Sequence, residues 1–196
     1  TLVSRRRYTA QDLFWHPIGA CMQHPNLAWH DFETIAGQRF DLAVATWWRT
    51  FFDIWKVDAA SYGYFVQSIE SRFYPLHERV LRAAVDATYE ADLGFVTEAR
   101  WIRDYLSRLY GHDAGLAING VDKTIYTAEG PCIAPRAAGC LRVLLEGPVD
   151  VPLKNVPLSV RLAREAGASE VWLLTSSDLT EMDGVDRVFS RVPQAR

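Results

Sequence analysis

"YFVQSIESRFYP", residues 64 to 75, opens as a buried strand and turns polar at its end. Tyr64, Phe65 and Val66 are strand formers. Gln67, Ser68 and Glu70 follow at once, then Arg72, Phe73 and Tyr74. In an open parallel sheet, ligands gather outside the carboxyl ends of the strands. An apolar strand that delivers an amide and a carboxylate there suits such an edge. The rest of the chain decides whether that sheet exists.

Upstream, "FDLAVATWW" (Phe40 to Trp48) is an apolar run bounded by turn-like residues, as in a buried strand. A short aromatic helix is expected to follow it to Val57. "YGYFVQ" (Tyr62 to Gln67) is the next strand. Pro75 opens "PLHERVLRAAVDATYE", which predicts a helix with proline in its first turn and Leu76, Val80, Ala83 and Ala84 on its apolar face. "DLGFVT" (Asp92 to Thr97) predicts a third strand. Thr97 is expected to cap a helix carrying Trp101, Ile102, Tyr105, Leu106 and Leu109, with Gly111 ending it. "GLAI" (Gly115 to Ile118) predicts a fourth strand. Strands alternating with helices of this length predict a parallel sheet with right-handed crossovers.

Residues 127–140, "TAEGPCIAPRAAGC", break this rhythm with two prolines and two glycines, and read as a linker. The pattern then restarts. "LRVLLEG" is a strand, and "NVPLSVRLAREAG" a helix with Asn155 as cap, Pro157 early and Gly167 as terminator. "SEVWLLTSS" and "DRVFSRV" are two further strands. The expected fold is α/β. It has two parallel Rossmann-like units, residues 1–126 and 141–196, joined by the linker. The second unit is too short for a complete doubly wound domain. The chain begins at Thr1 inside a strand pattern, so both units are expected to be incomplete and the chain an internal fragment.

Of the 196 residues, 49% are hydrophobic and 12% aromatic, enough for one good core or two modest ones. A net charge of -3 argues against a duplex-nucleic-acid binder. The one basic cluster, Ser4 to Tyr8, reads as solvated surface. Cys21, Cys132 and Cys140 are odd in number and lack metal spacing, which suggests a reducing compartment. No signal peptide or membrane-length apolar run is present, and a cytoplasmic location is expected. His16, His24 and His30 have no ligand spacing, so no metal is expected. Ser176, Ser177 and Asp178 lack a nucleophile elbow, and no G-x-G-x-x-G marks a nicotinamide site.

Two loops carry possible chemistry. In "LLEGPVDVPLKNVPL" (Leu144 to Leu158) a strand ends at Glu146, Gly147 frees the backbone, and Lys154 and Asn155 precede a helix. A helix start carries unpaired N–H groups and partial positive charge, and Lys154 adds a full charge, a combination that suits a diphosphate. The plain alternative is an ordinary strand-to-helix loop with an exposed lysine. In "INGVDKTIY" (Ile118 to Tyr126) a strand exits through Asn119-Gly120 and Val121-Asp122 just before the linker, a placement expected on a cleft between the units.

These segments, in this order, resemble the GT-B glycosyltransferases of retaining family 4. They are most similar to the bacterial branch that includes rhamnosyltransferases of surface-polysaccharide assembly. The resemblance covers about residues 40–175 and rests on "YFVQSIESRFYP", "VTEARWIRDYLSRLYG", "INGVDKTIY" and "LLEGPVDVPLKNVPLSVRLAREAG". It implies an enzyme that moves a sugar from a nucleotide-diphosphate donor to a glycan or lipid-linked glycan, with retention and no cofactor. Peripheral association with the inner face of the plasma membrane is part of that picture. Gly147, Lys154, Asn155, Asn119 and Asp122 would serve the donor. Thr46, Trp47, Gln67 and Glu70 would line the acceptor cleft. Many relatives have G-R before the lysine, where this chain has Gly147-Pro148, so the arginine's role is unfilled. The family's Gly-rich loop and E-x7-E element are not seen, and no catalytic residue is assigned.

Bland readings stand beside these. Trp47, Trp48, Phe51, Phe52 and Trp55 at helical spacing suit a core as well as a sugar-stacking rim. Glu70 with Arg72 suits a surface pair. The same architecture would also serve a nucleotide-sugar epimerase or phosphorylase, or a non-catalytic glycan-binding module.

Overall fold

The computed structural model describes residues 1–5, 25–124, 126–129 and 133–192. It divides into two compact units, one holding Trp29–Val121 with the N-terminal strand, the other running on from Asp122. The division falls inside the Asn119–Asp122 turn, a few residues ahead of the expected boundary at Tyr126.

The first unit contains two parallel sheets. Strands β1 (Leu2–Ser4) and β2 (Trp29–Asp31) pair with each other. The larger sheet has four parallel strands in sequential order: β3 (Arg39–Ala45), β4 (Asp58–Val66), β5 (Gly94–Thr97) and β6 (Gly115–Leu116). Its crossovers hold the short helix α1 (Trp48–Phe51), then α2 (Arg79–Ala87) and α3 (Arg100–Tyr110). Each crossover steps one strand in the same direction, so right-handed connections bring all three helices to one face. Side-chain alternation agrees. Ala43, Ala45, Tyr64, Val66 and Phe95 point into a core with Trp48, Phe51, Val85, Tyr89, Ile102 and Leu106. On the other face Leu42 and Val44 remain 56% and 46% exposed.

The elements follow the expected order with shifted edges. β4 starts at Asp58, four residues before the predicted start at Tyr62. α2 starts at Arg79, after a turn closed by Glu78 N–H on the Pro75 carbonyl, 3.0 Å. Its expected apolar face is corrected: Leu76 and Val80 are 80% and 87% exposed, while Val85 and the following Thr88 and Tyr89 are buried. Tyr89 selects that face, because its hydroxyl accepts the Glu70 N–H at 3.0 Å. The cap of α3 is Ala99, not Thr97, and Gly111 ends the helix at φ 75 as expected. The Glu70–Arg72 pair does not form. Glu70 is buried, and the Arg72 guanidinium lies over Trp101 and Tyr105.

The second unit has strands β7 (Arg142–Glu146), β8 (Glu170–Thr175) and β9 (Arg187–Ser190), parallel and in that order. Helix α4 (Val156–Glu165) crosses from β7 to β8. It packs Val156 and Val160 around Leu173, and Ala163 with Val171. The opposite sheet face stacks Arg142 on Trp172, with Arg187 over Trp172 and Phe189. Between 127 and 140 the described residues form no helix or strand. Arg142 ties part of that stretch to β7 through the carbonyls of Ala134 and Pro135.

No helix among the described residues is long and apolar enough to cross a membrane. Those residues also hold no cluster of three or more His, Cys, Asp or Glu placed to bind a metal. Cys140 is a free thiol. His16, His24, Cys21 and Cys132 lie outside the described residues.

Candidate functional site

All strands of the larger sheet end at one rim. Thr46 and Trp47 follow β3, Gln67 follows β4, Glu98 follows β5, and Ala117 to Asn119 follow β6. Gln67 Nε2 donates to the Thr46 carbonyl at 3.0 Å, which ties the ends of β3 and β4 together. Thr50 Oγ1 accepts the N–H groups of Thr46 and Trp47 at 3.1 and 3.0 Å, so that corner is held by α1. Trp47 is 40% exposed and carries the Arg49 guanidinium 5.2 Å from its ring centre.

Glu70 occupies a different environment from the one expected. It is 4% exposed. Its Oε2 accepts the Trp48 N–H at 2.8 Å and the Tyr64 hydroxyl at 3.0 Å. Burial raises the carboxyl above the usual range, partly offset by those two donors. Held this way, Glu70 receives the first N–H of α1 and fixes how β3 turns into that helix. The Tyr64 hydroxyl beside it is also driven upward, first by burial and then by the Glu70 charge.

The aromatic run splits between the two readings. Trp48 and Phe51 are core, while Trp47, Phe52 and Trp55 are exposed. Trp48 also donates Nε1 to the Tyr74 hydroxyl at 2.9 Å. Asn119 Nδ2 donates to Glu98 Oε2 at 2.8 Å, so the ends of β5 and β6 are joined by a polar pair at the surface. Glu98 was not singled out in the sequence. Its signal is its position directly after β5 (Gly94–Thr97).

In the second unit, Gly147 ends β7 at φ 150 and donates its N–H to the Leu174 carbonyl at 3.1 Å. A Cβ on Gly147 would sit 3.5 Å from Lys154 Cβ and 3.4 Å from Val156 Cγ2. The lysine stem thus lies against the strand end, and the backbone at φ 150 is what asks for glycine. The loop between is pinned by Ser177, which accepts the Val149 N–H at 2.9 Å and donates to the Asp150 carboxylate. That hydroxyl holds Asp150 below the usual carboxylate range. Residues Pro152–Lys154 form one 3-10 turn, and Asn155 at φ 46 redirects the chain into α4. No side chain caps α4, and Pro157 lies in its first turn. Gly147, Lys154 and Asn155 therefore meet at the carboxyl edge of β7. Asp122, in the same unit, accepts the Thr124 N–H and hydroxyl at 2.8 and 2.7 Å, a local turn.

Comparison with known proteins returned no matching family model, no matching curated protein and no matching solved structure.

Proposed function

We propose that this chain is part of a GT-B glycosyltransferase that moves a sugar from a nucleotide-diphosphate donor to a glycan hydroxyl, with retention. The observation that carries the reading is the carboxyl edge of β7. There a glycine turn, an exposed lysine and a helix start without a side-chain cap converge. Such a start offers N–H groups and partial positive charge to an anion, and the Lys154 ammonium adds a point charge. Diphosphate is the leaving group of sugar transfer, so groups placed here would stabilise charge that grows in the transition state. Asn155 and Gly147 shape the turn, and Lys154 acts. Asp122 and Asn119 are carried as donor-side residues on the resemblance.

The rim of the first unit supports an acceptor role. Gln67, Thr46 and Glu98 present amide, hydroxyl and carboxylate groups, and Trp47 offers an aromatic face, a mixture suited to sugar hydroxyls and ring faces. Glu70 drops out of that set, because its carboxylate serves the backbone. A second reading, a glycan-binding module without transfer, is favoured by the further exposed aromatics Phe52 and Trp55.

Isothermal titration with a panel of nucleoside diphosphates, set against free monosaccharides, separates the two. Diphosphate binding that Lys154→Ala weakens is expected. Sugar binding with no diphosphate affinity would select the module.

A further inference from the structure

The outer face of α3 carries a groove that plays no part in the proposed transfer. It holds about 430 Å³ and is lined by Arg72, Trp101, Asp104, Tyr105, Arg108 and Leu109. Small-molecule sites have volumes of about 300–1,000 Å³. Trp101, Asp104, Tyr105 and Arg108 recur at steps of three and four residues, so they form one stripe of the helix. Ile102 and Leu106, on the adjoining face, are buried in the core and fix the helix's rotation.

Arg72 enters from the other side, on the turn Glu70–Phe73 that follows β4. That turn is clamped on both flanks. The Tyr89 hydroxyl accepts the Glu70 N–H at 3.0 Å, and Arg82 Nη1 donates to the carbonyls of Ser71 and Tyr74 at 2.6 and 2.9 Å. The Arg72 guanidinium is thereby set 5.8 Å from the Trp101 ring centre and 5.6 Å from that of Tyr105. Tyr105 is braced in turn by the Tyr110 ring at 6.0 Å. Among the described residues, neither Arg72 nor Arg108 has a carboxylate partner. Asp104 meets the Arg103 guanidinium at a loose 3.8 Å. Trp101 is 50% exposed, so part of its ring is open to a ligand.

We propose that this groove binds a carboxylated sugar, a uronic-acid unit of an acidic glycan. The two arginines supply forked donors that suit a carboxylate. Trp101 supplies a flat apolar face for the C–H side of the ring. Asp104 decides between anions. Its carboxylate repels a phosphate or any densely charged partner beside it. It accepts hydrogen bonds from sugar hydroxyls. A phospholipid surface or an acidic peptide would gain from the arginines and lose at Asp104. The groove belongs to the first unit alone, so the inference stands whether or not Lys154 binds a diphosphate.

The test titrates the 196-residue protein with tetragalacturonate by calorimetry. The methyl ester of that sugar keeps its rings and hydroxyls without the charge. Tetraglutamate keeps the charge without the rings. Both are expected to bind at least about ten-fold more weakly, the first for want of charge-assisted hydrogen bonds and the second for want of ring and hydroxyl contacts. Arg72→Gln and Arg108→Gln, both at exposed positions, should each lower tetragalacturonate affinity about ten-fold with the melting temperature unchanged. Trp101→Ala should weaken the acid and its ester alike. Asp104→Asn should weaken both as well, because a neutral amide oxygen accepts a hydroxyl less strongly than a carboxylate does. A gain in affinity on Asp104→Asn would make the groove a plain anion site and overturn the proposal. Equal binding of the ester, equal binding of tetraglutamate, or unchanged affinity in both arginine variants would also overturn it.

Discussion

The carboxyl edges of the two sheets use polar residues in opposite ways. After β4, Glu70 turns inward and meets the Trp48 N–H and the Tyr64 hydroxyl. Gln67 reaches back to the Thr46 carbonyl. These groups hold strand ends together. After β7, Lys154 keeps its ammonium outside while only its stem packs on Gly147. The same topological position therefore holds a buried support in one unit and an exposed cation in the other. Sequence position names the rim. Burial decides the role.

Removing the support should have the largest effect. Glu70→Ala strips two buried donors, each worth about 1–3 kcal/mol when left unsatisfied, and relief of a desolvated charge offsets part of that. A net loss of roughly 2–4 kcal/mol in urea unfolding is expected. A loss below about 0.5 kcal/mol, the level of an ordinary surface change, would place Glu70 on the surface after all and erase the contrast.

Lys154→Ala should do the reverse. Folding should hardly change, because a loop lysine at the rim buries little. Nucleoside diphosphate affinity should fall about ten- to 150-fold, the worth of one charge-assisted bond of roughly 1.5–3 kcal/mol. The helix start remains, so binding should weaken and not vanish. Titration beside a melting curve measures both. A collapsed melting temperature would make Lys154 structural, like Glu70.

Gly147→Ala sharpens the same point at lower magnitude. At φ 150 an alanine is strained, although its Cβ would make only ordinary contact with Lys154 and Val156 at 3.4–3.5 Å. A loss of about 1–2 kcal/mol is expected from the backbone strain, with diphosphate affinity falling as the turn that carries Lys154 shifts. Unchanged affinity would mean that the stem's seat on Gly147 does not position the ammonium.

Strand-helix alternation was legible because each apolar run is short and ends in turn chemistry, as at Gly111 and Gly167. The sequence did not reveal which face of α2 is buried. Leu76, Val80, Ala83 and Ala84 make a plausible stripe, yet the helix begins after Leu76 and is turned by Tyr89, whose partner is a backbone N–H on another element. No periodicity records such a bond. β2 escaped notice because Trp29–Asp31 is three residues long in a segment rich in Trp and Pro. At the site, Lys154 and Gln67 could be placed by their distance from strand ends. Glu70 could not, because its fate depends on Tyr64 and Trp48, which the sequence holds six and twenty-two residues away.

The smallest effect expected is the pH dependence of Glu70→Gln. In the native protein burial raises the Glu70 carboxyl above its unfolded value of about 4.3. The folded state then binds the proton more tightly than the unfolded chain does. Stability from this group is fully present below the unfolded value and is lost as pH rises through the folded one. Glutamine has no proton to lose. Its oxygen, in the place of Oε2, can still accept both the Trp48 N–H and the Tyr64 hydroxyl. The stability of the variant minus that of the native protein should therefore grow from pH 4 upward and level off once Glu70 is fully ionised. Urea midpoints from pH 4 to 8 measure it. A difference that shrinks with rising pH would mean that the folded state favours the ionised carboxylate. Glu70 would then be a charge held for use, and the two edges would be alike.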